Sequence, residues 1–320
     1  MYKIKQLPED FFVREIPKYQ LSEEGEYTYF TLKKKNRTTL DIILEIAQKL
    51  NILLKRIGFA GTKDKVAVTE QLISIKNVKP TDIGKINLRD VHLELVGKGE
   101  NPISLGDLEE NYFRIIVRNL STKRIIIKST EKIPNLFGPQ RFSEKNIEIG
   151  EAILKRNFGK AVKLIDHPKV TDYIELNPGD FIGAIRILPL KLRKFYIHAY
   201  QSFIWNLTVE VYMKKAKPIR NEKIPIIGFG TELKDDTIGT IIKQILKKVG
   251  VSQRDFILKQ FPELSSEGDE RDLFVTPKDF KIIKVEEDEF NPKKFKAMIS
   301  FSLPPGSYAT VVIKELFSNY

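Results

Sequence analysis

Apolar and polar positions alternate from Glu26 to Lys33 around Tyr27, Tyr29 and Thr31, the period-two pattern of a strand. The spacing then changes. Leu40, Ile43, Leu44 and Ala47 recur at helical intervals, which predicts a helix over Thr38–Leu50, capped by Thr38 or Thr39 and ended by Asn51. Strands are predicted over Val66–Ile75 and Tyr112–Val117. Before the first of these lies a turn-like stretch, Phe59–Lys65, between apolar flanks. The middle of the chain reads differently. Leu192, Phe195, Ala199, Phe203, Leu207 and Val211 line one stripe of a long helical pattern, Lys191–Lys214. A second amphipathic helix covers Thr237–Val249 and closes at Gly250, and Ser252 with Asp255 opens a third. Strand patterns return at Phe280–Val285 and Phe295–Leu303. Pro304-Pro305-Gly306 then turns the chain, with Ser307 placed to cap a final segment. A strand-rich start and end around a helical middle predicts an α+β protein with one domain inserted into another.

Composition narrows the chemistry. The 320 residues suffice for two modest domains, each with its own core. Lys and Arg number 54 against 42 Asp and Glu, a net charge of +12 spread along the chain rather than held in a tail. Such a surface suits nucleic acid, although a lysine-rich surface alone gives the same balance. The absence of cysteine excludes a disulfide scaffold, a thiolate metal site, a thiol nucleophile and an iron–sulfur cluster. His92, His167 and His198 are too far apart in sequence for an HExxH site. The glycines of Gly58–Lys63 lack P-loop spacing, and neither Gly97-Lys98-Gly99 nor Gly228-Phe229-Gly230 has the third glycine of a dinucleotide fingerprint. No run of about 18 apolar residues is present, and MYKIKQLPED has no apolar signal core, so a cytoplasmic protein away from membranes is expected. What remains is carboxylate, lysine and aromatic chemistry, with no metal or cofactor expected.

Asp64 lies in Gly61-Thr62-Lys63-Asp64-Lys65, between Ile57–Ala60 and Val66–Val68. Asp is common in turns for local hydrogen-bonding reasons alone. Apolar flanks on both sides, however, place this carboxylate at the mouth of a core. Lys63 and Lys65 favour its charged form, and a desolvated, ionised carboxylate is a possible nucleophile.

GFAGTKDKVAVTEQ, residues 58–71, closely resembles the central motif of the TruD family of pseudouridine synthases. Four other segments follow in family order. Residues 8–16, PEDFFVREI, resemble the N-terminal motif, and IPNLFGPQRF at 133–142 resembles the Asn-Tyr-Phe-Gly-x-Gln-Arg-Phe-Gly motif. HAYQSFIWN at 198–206 resembles a helix motif of the inserted domain, and LPPGSYATVVIKEL at 303–316 the C-terminal motif. The departures are Leu136 for the usual Tyr and Ser143 for the last Gly, the latter bearing on the backbone path after Phe142. The GTKDK form and HAYQSFIWN look closer to the archaeal and eukaryotic branch.

The resemblance implies a V-shaped, two-domain α+β protein. A discontinuous catalytic domain with the mixed-sheet pseudouridine synthase core would comprise 1–149 and 276–320, and 150–275 would be the inserted TRUD domain. It implies isomerisation of uridine to pseudouridine in RNA, at position 13 of tRNA in the D-arm, by a cofactor-free monomer. By motif position Asp64 is the nucleophile, attacking either C1′ of the sugar or C6 of the base, and Lys5 holds it ionised. Tyr308 stacks under the extruded uracil, with Phe137 and Asn135 lining the pocket. Gln201 and Trp205 read instead as packing residues. Two alternatives stand beside this: a non-catalytic basic RNA-binding protein on the same fold, and a hydrolase pairing Asp64 with Glu70 or Glu15.

Overall fold

The computed structural model describes residues 1–127, 129–142, 145–215 and 219–318; Ser143 lies outside them. The chain divides into two compact units, one made of Met1–Glu131 with Thr276–Tyr320 and the other of Lys132–Val275.

The first unit opens with a 3₁₀ turn at Pro8–Asp10 and strand β1, Phe11–Pro17. Strand β2, Tyr27–Lys35, buries Phe30, Leu32 and Lys34 at alternate positions. Helix α1 is Thr39–Lys49, with the Thr38 hydroxyl accepting from the Asp41 N–H at 3.2 Å. Asn51, at φ 52°, takes the left-handed conformation that stops it. Ile42, Ile43, Ile46 and Ala47 form the buried stripe of α1 and pack with Phe30, Leu32, Ile73 and Ile75. Strands β3, Ile57–Phe59, and β4, Val68–Lys76, flank the Gly61–Ala67 loop. β4 starts two residues later than the apolar run suggests, because Lys65–Ala67 bend and leave Val66 42% exposed. Helix α2, Pro80–Ile83, and strands β5, Val91–Gly99, and β6, Leu108–Leu120, complete this part.

The second unit begins at strand β7, Ile133–Pro134. Helices α3 to α6 follow, at Asn146–Leu154, Phe158–Leu164, Pro168–Leu176 and Phe181–Arg186. Helix α7, Leu190–Lys215, runs through their core. Beyond strand β8, Lys223–Ile226, comes helix α8, Thr237–Val249, capped by Asp236 and closed by Gly250 at φ 67°. The start signal at Ser252 forms its capping box, yet opens only a 3₁₀ turn, Gln253–Phe256. Phe256, Leu258 and Phe261 are all fully buried, and at that spacing they do not share one helix face, so the chain leaves the helix to bury them. Strands β9, Asp269–Asp272, and β10, Phe274–Val275, end the unit, β10 pairing antiparallel with β7. This pairing, with the packing of α3 on α7, makes the first break fall at 131/132 rather than at 149/150; the second falls at 275/276.

The chain then rejoins the first unit with strands β11, Lys278–Glu287, and β12, Phe295–Leu303. Helix α9, Ala309–Phe317, has Tyr308 rather than Ser307 at its N-cap position. Among the described residues eight strands form one mixed sheet, in the order β11-β12-β6-β1-β4-β2-β5, with β3 beside β4. The β1–β4 pair is parallel and the others antiparallel. Among the described residues no helix is long and apolar enough to cross a membrane.

A buried charge cluster fastens both ends of the first unit to this sheet. Arg118 on β6 grips Asp10 with Nε and a terminal nitrogen at 2.8–3.0 Å and reaches Asp288, between β11 and β12, at 3.0 Å. Arg118 is 2% exposed and both carboxylate side chains are fully enclosed. Burial alone would raise the Asp288 carboxyl, but hydrogen bonds from the Asn119 N–H, Asn291 and Arg118 outweigh it and hold it below the ordinary range.

Candidate active site

The Gly61–Ala67 loop has no regular structure, and three side chains of the sheet and α1 fix its path. Thr39, at the start of α1, accepts from the Lys63 N–H at 3.0 Å. Gln71 on β4 shares a hydrogen bond with that Thr39 hydroxyl and donates to the Gly61 carbonyl. Lys34 on β2 donates to the Asp64 carbonyl at 2.7 Å. Thr39, Gln71 and Lys34 are all buried, so the loop rests on ordered groups.

On this loop the Asp64 carboxylate meets Lys5 Nζ at 2.6 Å, with the two side chains 30% and 16% exposed. The pair joins residues 59 positions apart. Lys5 stands at φ 57°, a left-handed conformation that costs a side-chain-bearing residue about 1–3 kcal/mol. Neighbouring contacts impose it. Lys3 and Arg118 exchange main-chain hydrogen bonds at 2.8 and 2.9 Å, and Asp10 accepts from the Leu7 N–H. Lys5 Nζ also lies 4.1 Å from the centre of the Phe11 ring, whose face favours a cation. The site therefore offers a partly enclosed carboxylate, one hydrogen-bonded cation and an aromatic face.

The other lysine neighbours act differently from the sequence expectation. Lys63 turns to the enclosed Glu15 carboxylate, at 2.5 Å, and to Asn111 at 3.0 Å. Burial pushes the Glu15 carboxyl up against the pull of Lys63. Lys65 is exposed. Glu70 pairs with Lys33. The two carboxylates considered as a second acid are thus each paired with a lysine other than Lys5, Glu15 with Lys63 and Glu70 with Lys33. A cleft of about 300 Å³ opens beside them, lined by Arg14, Glu15, Lys33, Glu70 and Glu94 among others, without Lys5 or Asp64.

Tyr308 belongs to the same unit, half-buried where the chain turns from Gly306, at φ 80°, into α9. Asn135 and Phe137 belong to the other unit. Asn135 is buried, and both its carbonyl and its side-chain oxygen accept from Arg271 at 2.7 Å. Phe137 packs edge-on against Trp205, with ring centres 5.5 Å apart and the Arg271 guanidinium 4.3 Å from its own ring centre. Asn206 of α7 bonds the Phe137 main chain in both directions at 3.0 Å. Gln201 and Trp205 are buried packing residues, bonded to the carbonyls of Ile227 and Ile224. Among the described residues no group of three or more His, Asp or Glu could hold a metal ion.

Lys34 is the site residue that sequence reasoning missed, hidden in a run of three lysines. The signal was present: on a strand with Phe30 and Leu32 facing inward, Lys34 must share their face.

The family model for tRNA pseudouridine synthase D (TruD) matches residues 2–170, 165–224 and 221–316. A Methanosarcina mazei protein named "Probable tRNA pseudouridine synthase D" is 31% identical, the match covering 98% of this chain and 92% of that one. The tRNA pseudouridine synthase D of Aquifex aeolicus is also 31% identical, over 99% and 98% of the two chains. A crystal structure of the TruD from Methanosarcina mazei superposes with a TM-score of 0.75 at 30% identity, covering 99% of this chain and 93% of that one. Sequence and fold agree over almost the whole length, and the chain belongs to the TruD family.

Proposed function

We propose that this protein isomerises uridine to pseudouridine in tRNA, at position 13, with Asp64 as nucleophile. The observation that carries the reading is the 2.6 Å Lys5–Asp64 pair on a loop secured by buried side chains. The N1–C1′ bond breaks, the uracil turns, and C5 bonds to C1′; the hydrogen lost from C5 is balanced by one gained at N1. No atom enters or leaves, so these residues need supply only a nucleophile, charge and a surface for the base. Attack at C1′ and attack at C6 both require an ionised carboxylate beside a desolvated base, and Lys5 places a positive charge 2.6 Å from that carboxylate. The catalytic domain would be the sheet unit, the inserted unit the TRUD domain, and the protein a cytoplasmic monomer. Incubation with an unmodified tRNA transcript, without added metal, followed by pseudouridine mapping, tests the reading. The product is expected at position 13, and its absence refutes the assignment.

Two variants probe the parts. Lys5→Met removes a charged hydrogen bond of about 1.5–3 kcal/mol, so single-turnover rates are expected to fall roughly 10- to 150-fold. Lys65→Met, at the exposed neighbour, should leave them nearly unchanged. Equal losses would instead indicate general attraction of RNA.

For Tyr308 the ring matters more than the hydroxyl if it carries the extruded uracil. Tyr308→Phe should keep most of the rate, and Tyr308→Leu should lose about 1–3 kcal/mol of stacking, roughly ten- to a hundredfold. A slow Phe variant with unchanged melting would point to proton transfer by the hydroxyl. A Leu variant that only melts earlier would make Tyr308 an anchor for α9.

A further inference from the structure

Strand β2 ends in three consecutive lysines with different surroundings. Lys33 meets Glu94 at 3.3 Å and Glu70 at 3.6 Å, and Lys35 meets Glu9, all with partial exposure to solvent. Lys34, between them, is 2% exposed. Among the described residues its ammonium forms no ion pair, and its hydrogen bond goes to the Asp64 carbonyl, at 2.7 Å. A neutral amide could make that bond at a far smaller desolvation cost, so a carbonyl alone does not account for a buried cation. Two charges act on it. The Asp64 carboxylate favours the ammonium and the Lys63 ammonium opposes it. Lys63 is already engaged by Glu15 and Asn111, which leaves Asp64 as the counter-charge for Lys34.

We propose that Lys34 is a positioning residue for the nucleophile, holding the Asp64 peptide against the sheet and supplying a second fixed positive charge to its carboxylate. The proposal rests on Asp64 being the nucleophile. Lys34 differs from Lys5 in its support. Lys5 is carried on a terminal segment that other contacts must hold, whereas Lys34 stands on a strand paired on both sides, opposite Thr69 of β4 and Val91 of β5. Its reference frame is therefore the sheet itself, and the loop is registered against that frame through one short bond.

The proton on Lys34 provides a readout that a merely structural lysine lacks. Burial lowers its pKa from 10.5 to about 8, with Asp64 pulling it up and Lys63 pushing it down. Lys5 faces the same Asp64 carboxylate. Between about 8 and 10.5 the unfolded chain binds the proton that the folded chain has released, so this group makes the fold more stable as pH rises. Loss of rate in that window through Lys34 is therefore not unfolding.

The test measures single-turnover rates on tRNA from neutral to alkaline pH, together with tRNA affinity and melting, for wild type, Lys34→Met, Lys34→Gln and Asp64→Asn. Lys34→Met keeps the length and loses the charge. Its rate is expected to fall roughly ten- to a hundredfold, with affinity unchanged and melting unchanged or raised. Lys34→Gln, which retains a donor for the Asp64 carbonyl, should recover part of the loss. The wild-type rate should decline above about pH 8, a limb that both variants lack. A Met variant within about threefold of wild type, or an alkaline limb that the Met and Gln variants share with wild type, overturns the role of Lys34 while an inactive Asp64→Asn leaves the nucleophile standing. An active Asp64→Asn overturns the nucleophile, and Lys34 with it. Should Lys34→Met fail to fold, the wild-type profile and the Gln variant decide, and a wild type without the alkaline limb refutes the proposal.

Discussion

Asp64→Asn is expected to lower pseudouridine formation by roughly 10⁴-fold or more, with the fold retained, tRNA affinity near its wild-type value, and melting lowered only as far as the buried Lys34 loses its counter-charge. The substitution is almost isosteric and leaves the main-chain carbonyl that accepts from Lys34. The loop should keep its path, because Thr39 and Gln71 hold main-chain atoms of Lys63 and Gly61 rather than the Asp64 side chain. What disappears is the carboxylate that Lys5 faces, and an amide oxygen is a far weaker nucleophile. RNA affinity comes mostly from phosphate contacts and should barely register the change. Rate, affinity and melting measured on one preparation separate the outcomes. Normal turnover removes Asp64 from the chemistry. Lost turnover with lost affinity would favour a plain RNA-binding role for this surface.

The second large effect concerns stability. Arg118→Met should destabilise the sheet unit by about 3–5 kcal/mol, since it strands two enclosed carboxylates, Asp10 and Asp288. Asn119, Asn291 and the Leu7 N–H would still bond them, but none of these carries charge. Adding Asp10→Asn and Asp288→Asn to Arg118→Met should restore much of the loss, because the cost lies in the uncompensated charges rather than in the missing side chain. Amide exchange along β1, β6 and β12 reads this unit directly, whereas fluorescence of Trp205, the chain's single tryptophan, reads the other. Protection in β6 equal to wild type would refute the prediction. The depressed Asp288 carboxyl adds a sign. Its stabilisation is full above the ordinary Asp value of 3.8 and disappears as the pH falls through the lower folded-state value.

The sequence revealed long, regular elements more readily than short ones. α1, α8 and β12 lie within a residue of their predicted limits, because repeated periodicity and definite caps or turns mark them. α3 to α6 have six to nine residues each, about two turns, too few for a helical period to stand out. β5 lies at the sheet edge with both faces partly exposed, and Gly97 interrupts its alternation. The site followed a similar rule. Asp64 drew notice from its apolar flanks. Lys5 has no such local mark: taken alone it is a terminal lysine, and the ion pair depends on the fold bringing Phe11 and the 61–67 loop to it. Only its position in a family motif pointed there. Asn206 shows the converse. It stood inside a quoted motif, but its bonds to Phe137 depend on a loop 69 positions away.

The antiparallel β7–β10 pair has a topological consequence. Chain entry at Ile133–Pro134 and exit at Phe274–Val275 are adjacent, so their Cα atoms are about 5 Å apart. To the parent sheet, everything between these strands is equivalent to a loop in the connection from β6 to β11, two strands that β12 separates in the sheet. The span its ends must bridge does not depend on how many residues lie between them. The intervening segment can therefore lengthen, shorten or change its helices without altering the register of β6 against β12, and variation in overall length among relatives can collect there while the strands around Asp64 keep their positions.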